Sequence, residues 1–139
     1  MRNMSALALG LLVMGLGLFG AAAVTPLAFP AAFTTQGATT NVVALWVMLS
    51  ITEVFTMFAG WVTARIVADH RKGHALLMAA LGLTAAVGVG AVRWHAAPSW
   101  YYVLSWVLIP FAAALGSAAW ERSLRRNTRR DASPRVVPT

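Results

Sequence analysis

The chain contains no cysteine, and only four of its 139 residues are acidic. The first absence excludes a disulfide scaffold, a thiolate metal centre and a cysteine nucleophile. The second leaves little for acid–base chemistry: Asp69, Glu121 and Asp131 flank or follow the apolar stretches, and Glu53 alone stands inside one. Charge is scarce altogether, at 11% of residues against about 25% in an ordinary soluble domain. No P-loop, no glycine-rich fingerprint after a strand and no Ser/His/Asp constellation is present. The sequence therefore argues against an enzyme and implies no cofactor.

What is present is apolar. Hydrophobic residues make up 59% of the chain, which excludes disorder except at the C-terminal end. A helix needs about 20 mostly apolar residues to cross a bilayer. Four stretches satisfy that, at residues 5–24, 42–67, 74–92 and 100–120. Backbone groups in hydrocarbon must be paired within the segment, so these stretches are expected to be helices. They lack the alternation of barrel strands. The expectation is an all-α, four-span integral membrane bundle over residues 1–121, followed by a basic cytoplasmic tail at 122–139.

The breaks carry turn chemistry. Thr25-Pro26 and Phe29-Pro30 are expected to end the first helix, because proline disfavours a helical residue before it. A polar loop at 34–41 leads to Asn41 as a helix cap. Asp69-His70-Arg71-Lys72-Gly73 reads as a very short hairpin, which makes the second and third helices antiparallel neighbours. Ser99 is expected to cap the fourth helix.

Basic residues set the expected orientation. Arg2, Arg65, Arg71, Lys72, Arg122, Arg125, Arg126, Arg129, Arg130 and Arg135 fall on one side of a four-span arrangement, and Arg93 alone falls on the other. Both termini are thus expected in the cytoplasm, with the chain a multi-pass membrane protein. Trp94, Trp100, Tyr101 and Tyr102 gather near the outer interface, and Trp61 and Trp120 near the inner one, as headgroup-depth aromatics do. A second reading stays open at the N-terminus. Arg2, an apolar run and Ala21-Ala22-Ala23 resemble a cleaved secretory signal, although the run exceeds the usual core of about 7–15 residues.

Small residues recur at helical spacing. Gly82, Ala86 and Gly90 form one stripe, and Ala112 with Gly116 another. Gly60 with Ala64 and Ala6 with Gly10 repeat the pattern. Such stripes let helix backbones approach closely. They serve packing within the bundle or a seam for a homodimer or a partner membrane subunit. Pro110, in the middle of the fourth span, removes one backbone donor and is a hinge candidate.

Glu53 is the foremost site candidate, near the centre of the second span. An ionised side chain there costs at least ~2.5–3.5 kcal/mol on insertion scales, which makes an intramembrane acid a functional candidate by default. Ser50, Thr56, Gly60 and Thr63 are expected to share its inward face, with Thr52 on a different one. Either a protonated Glu53 bonds a hydroxyl or a freed carbonyl and fixes helix register, or it exchanges a proton for a cation. Arg65 and Asp69 have the spacing of a helical ion pair. His70 and His74 have the spacing of metal ligands on a helix, but Gly73 and the hairpin interrupt it, and no metal site is expected. Arg122, Arg125, Arg126, Arg129 and Arg130 are expected to contact anionic lipid headgroups. Nucleic acid is disfavoured as a partner, for no aromatic interleaving or folded reader accompanies them.

The runs Phe58-Ala59-Gly60-Trp61-Val62-Thr63-Ala64-Arg65-Ile66 and Arg71-Lys72-Gly73-His74-Ala75, with Trp100-Tyr101 opening the last helix, resemble a pattern in small bacterial four-span integral membrane proteins of unassigned activity. That resemblance implies a fold and a location, the bacterial inner membrane. The small multidrug-resistance transporters also carry one membrane-embedded glutamate, but on their first helix, whereas Glu53 is on the second. The expected function is a non-catalytic scaffold or accessory subunit. The alternative is a small proton-coupled transporter with Glu53 as the exchanging carboxyl.

Overall fold

The computed structural model describes residues 2–67 and 70–131, with side chains described at 3–67 and 70–127. It is all-helical: α1 (Arg2–Ala28), a 3-10 turn (Pro30–Ala32), α2 (Val42–Ile66), α3 (Arg71–Val92) and α4 (Ser99–Asp131). At about 1.5 Å per residue, every one of the four long helices exceeds a ~30 Å hydrocarbon core. All four are apolar enough, as well as long enough, to cross a membrane.

The interior combines many small side chains with a few large ones, Leu45, Met78 and Ile109 among them, while most of the other large apolar side chains face outward. Ala44, Ala59, Ala64, Ala75 and Ala113 are fully buried, while Phe19 is 72% exposed and Phe111 and Leu115 are each 62% exposed. A soluble monomer rarely leaves so much large apolar surface uncovered. A membrane helix does, because lipid tails are as apolar as its side chains and leave no hydrophobic drive to bury them. The buried threonines of the helices bond within their own helix. Thr25 donates to the Ala21 carbonyl, Thr52 to Met48, Thr56 to Thr52 and Thr63 to Ala59, at 2.8–2.9 Å. Each hydroxyl is thereby satisfied without a partner from another helix.

The helix α2 packs extensively on both α1 and α4, and α3 lies across the other three. Gly10 of α1 sits against Thr63 and Ala59 of α2, and Lys72 at the start of α3 bridges Glu121 late in α4 at 3.4 Å. The start of α1, the end of α2, the start of α3 and the C-terminal part of α4 therefore share one end of the bundle. The α1–α2 loop and the α3–α4 connection share the other, where the Thr39 amide donates to the Ala96 carbonyl at 2.8 Å.

Local boundaries follow identifiable chemistry. Asn41 caps α2, its Oδ1 accepting from the Ala44 amide at 3.1 Å. The first helix runs through Pro26 and stops at Ala28, so Phe29-Pro30, not Thr25-Pro26, ends it. Pro26 is only two residues from the end and costs the helix one bond, and the Phe29 amide still closes on the Thr25 carbonyl at 2.9 Å. Helix α3 begins at Arg71, inside the expected hairpin, and takes in Gly73. His70, directly before α3, adopts the left-handed conformation, with φ 51° and ψ 39°, which is uncommon for a residue other than glycine. Ser99 is the first residue of α4 and not its cap, and the Pro98 carbonyl accepts from Tyr101 at 3.0 Å. The basic segment after Trp120 continues α4 as far as Asp131. Arg135, with the rest of residues 132–139, lies outside the described residues.

Candidate functional site

Glu53 lies in the middle of α2 at the edge of its buried face, which carries Leu49, Thr52, Thr56, Ala59, Gly60 and Thr63. Both carboxyl oxygens are buried and have no hydrogen-bond partner among the described residues. An unpaired buried polar group is costly, and natural proteins keep few of them. Tyr101 of α4 is within electrostatic reach of the carboxyl.

The expected companions of Glu53 divide. Thr56, Gly60 and Thr63 are buried, but the two threonine hydroxyls are spent on their own helix. Ser50 is exposed and does not join the buried face, whereas Thr52, expected elsewhere, is buried on it. The reason is an angular offset. The buried arc of α2 is centred on the Thr52–Thr56–Thr63 side, so Ser50 falls beyond its edge.

Gly60 is two turns from Glu53 on the same face. A Cβ there would collide with the Ala113 backbone of α4, and one at Gly116 would collide with the Met57 carbonyl of α2. Ala112, next to this crossing, is buried. The stripe on α3 is divided between two neighbours: Gly82 faces the Met14 side chain of α1, and Gly90 faces Trp106 of α4, with a built Cβ 2.8 Å from the ring. Ala86 packs at the margin of the core. Pro110 stands inside α4, half-buried.

The hairpin end holds an aromatic cage that the sequence reading missed. The Arg65 guanidinium lies 5.2 Å from the Trp61 ring centre and 5.7 Å from that of Trp120. The two indoles meet edge to face at 5.5 Å. Trp61 and Arg65 are four residues apart in α2, a spacing that signals such a contact, but Trp120 arrives from α4 and leaves no local trace. The Trp120 Nε1 is buried without a partner among the described residues. Asp69, the expected partner of Arg65, lies outside the described residues. His74 Nδ1 lies 3.2 Å from the His70 carbonyl. Arg122, Arg125 and Arg126 are exposed along the extension of α4, while the side chains of Arg129 and Arg130 lie outside the described set.

The opposite end is aromatic and hollow. Trp94 stacks on Tyr102 at 5.4 Å, and Trp46 meets Trp100 at 5.9 Å. Beneath the α1–α2 loop is a cavity of about 190 Å³, with Arg93, Tyr101 and Thr39 in its wall. The loop is tied across it by the Thr39 amide, which donates to the Ala96 carbonyl at 2.8 Å, while the Thr39 hydroxyl braces the loop internally on the Ala32 carbonyl at 2.6 Å.

Comparison with protein-family models, with curated proteins and with solved structures finds no match to this chain.

Proposed function

We propose that the chain is a multi-pass protein of the bacterial inner membrane, with both termini cytoplasmic, that acts without catalytic activity as a scaffold or accessory subunit. Four long apolar helices support the placement in a membrane. The orientation rests on the basic residues, which gather at the hairpin end and leave Arg93 alone at the other. Anionic headgroups are the natural contact for Arg122, Arg125, Arg126, Arg129 and Arg130. The partner is a second copy of the chain or another membrane subunit.

The observation that carries the scaffold reading is the closed crossing of α2 and α4. Backbone meets backbone at Gly60–Ala113 and Gly116–Met57. This contact lies between Glu53 and the basic end, so a carrier would have to pull it apart in every cycle. A rigid seam suits a body that is held by others or holds them. Affinity purification in mild detergent tests this. A membrane partner or a second copy recovered at fixed stoichiometry is expected. A lone monomer that catalyses proton-linked flux in vesicles overturns the reading.

A second reading is a small proton-coupled transporter. It is favoured by the two buried, unpaired oxygens of Glu53, since a proton or cation would satisfy them. Glu53→Gln separates the two: loss of proton-linked flux in a folded variant supports transport, and unchanged partner recovery with no flux in either protein supports the scaffold.

A further inference from the structure

We propose that the cavity beneath the α1–α2 loop binds a small amphipathic anion: a carboxylate or phosphate head on an apolar group of about the size of a benzene ring. The volume, about 190 Å³, exceeds the ~150 Å³ of an apolar cavity known to hold benzene. Its walls are chiefly apolar, with Leu18 of α1 and Leu45 and Met48 of α2 inside and the exposed Phe19 of α1 and Val89 of α3 at its open edge.

The polar groups in the wall select the head. Most of them are already engaged. The Thr39 hydroxyl donates to Ala32, that of Thr52 to Met48, and that of Tyr102 to the Arg93 carbonyl. Two remain. The Arg93 guanidinium has no acidic partner among the described residues, and the Tyr101 hydroxyl has no hydrogen bond among them. A planar cation and one hydroxyl donor match the two oxygens of a carboxylate, or two of those of a phosphate. Gly37 keeps the loop close to the cation. Its φ of +74° is one that side chains disfavour, and a Cβ there would lie 3.4 Å from an Arg93 terminal nitrogen. No acid among the described residues lines the cavity; Glu53 stands behind the wall within electrostatic reach of Tyr101, so the anionic head is drawn to the Arg93 side.

Such a head can belong to a free organic acid or to an anionic lipid. The test uses the purified full chain in nonionic detergent, titrated with benzoate, benzyl alcohol and benzylammonium and followed by calorimetry and tryptophan fluorescence. Saturable benzoate binding is expected, with benzyl alcohol weaker and benzylammonium silent. Arg93→Gln should weaken benzoate by about tenfold or more, the worth of a charge-assisted bond. Ala97→Leu, which fills the cavity and leaves Arg93 in place, should abolish binding even if Arg93→Gln proves unstable. Benzoate that does not saturate, that binds both variants as it binds the original chain, or that binds no better than benzyl alcohol overturns the proposal. Competition by phosphatidylglycerol in nanodiscs assigns the head to lipid, and saturable binding that the lipid leaves unchanged assigns it to a free acid.

Discussion

Gly60 of α2 lies so close to Ala113 of α4 that a single added methyl would strike the Ala113 backbone. Backbone cannot turn aside as a side chain can. Gly60→Ala should therefore destabilise the bundle by more than about 1 kcal/mol, as overpacking does, although alanine alone favours a helix by about 1 kcal/mol over glycine. Gly15 and Gly88 have nothing within 4 Å of a built Cβ, so alanine at either should be neutral or mildly stabilising. Thermal unfolding in detergent distinguishes the two classes. Equal effects at Gly60 and Gly15 would show that the α2–α4 crossing is looser than its geometry implies.

Arg65 over Trp61 and Trp120 ties α2 to α4 at the hairpin end. Cation–π contacts contribute about 0.5–1 kcal/mol at exposed sites and about 2 when desolvated, and Arg65 is exposed. Arg65→Ala should cost about 1 kcal/mol and red-shift tryptophan emission as water reaches the rings. Arg65→Lys should recover only part, since the ammonium lacks the flat face that stacks on indole. A variant with unaltered emission and stability would mean that the guanidinium spends its time at headgroups.

The absence of cysteine gives a clean topology test. His95 is exposed at the loop end and Asn127 on the far extension of α4. Single cysteines at the two positions, probed with an impermeant maleimide on intact cells, should label at 95 and stay protected at 127 until lysis. Labelling at 127 on intact cells reverses the proposed orientation.

Features that depend on neighbours along the chain were legible. The Asn41 cap needs only the amide three residues on, and each helix signals itself by its own apolar length. Features that depend on which helix arrives alongside were not. The exposed Ser50 and the buried Thr52 exchange places because the buried arc of α2 is set by α1 and α4, not by the periodicity of α2. Gly82 and Gly90 lie on one stripe in sequence yet meet different helices. Glu53 was found because an acid in a span is conspicuous, while its lack of partners among the described residues is a property of the assembled bundle.

That lack of partners makes Glu53 a place where structure and function pull in different directions. A buried polar group left unbonded costs about 1–3 kcal/mol, so replacing it by an apolar side chain of similar volume removes a penalty and no hydrogen bond. Glu53→Leu should leave the bundle as stable as the original or more so, read as an equal or higher unfolding temperature in detergent. If the carboxyl serves only packing, partner recovery should survive the change. If it carries a proton or cation, the stabilised variant should lose that binding and any flux linked to it. A marked fall in stability would instead place a hydrogen-bond partner on the carboxyl, such as a water or a neighbouring chain.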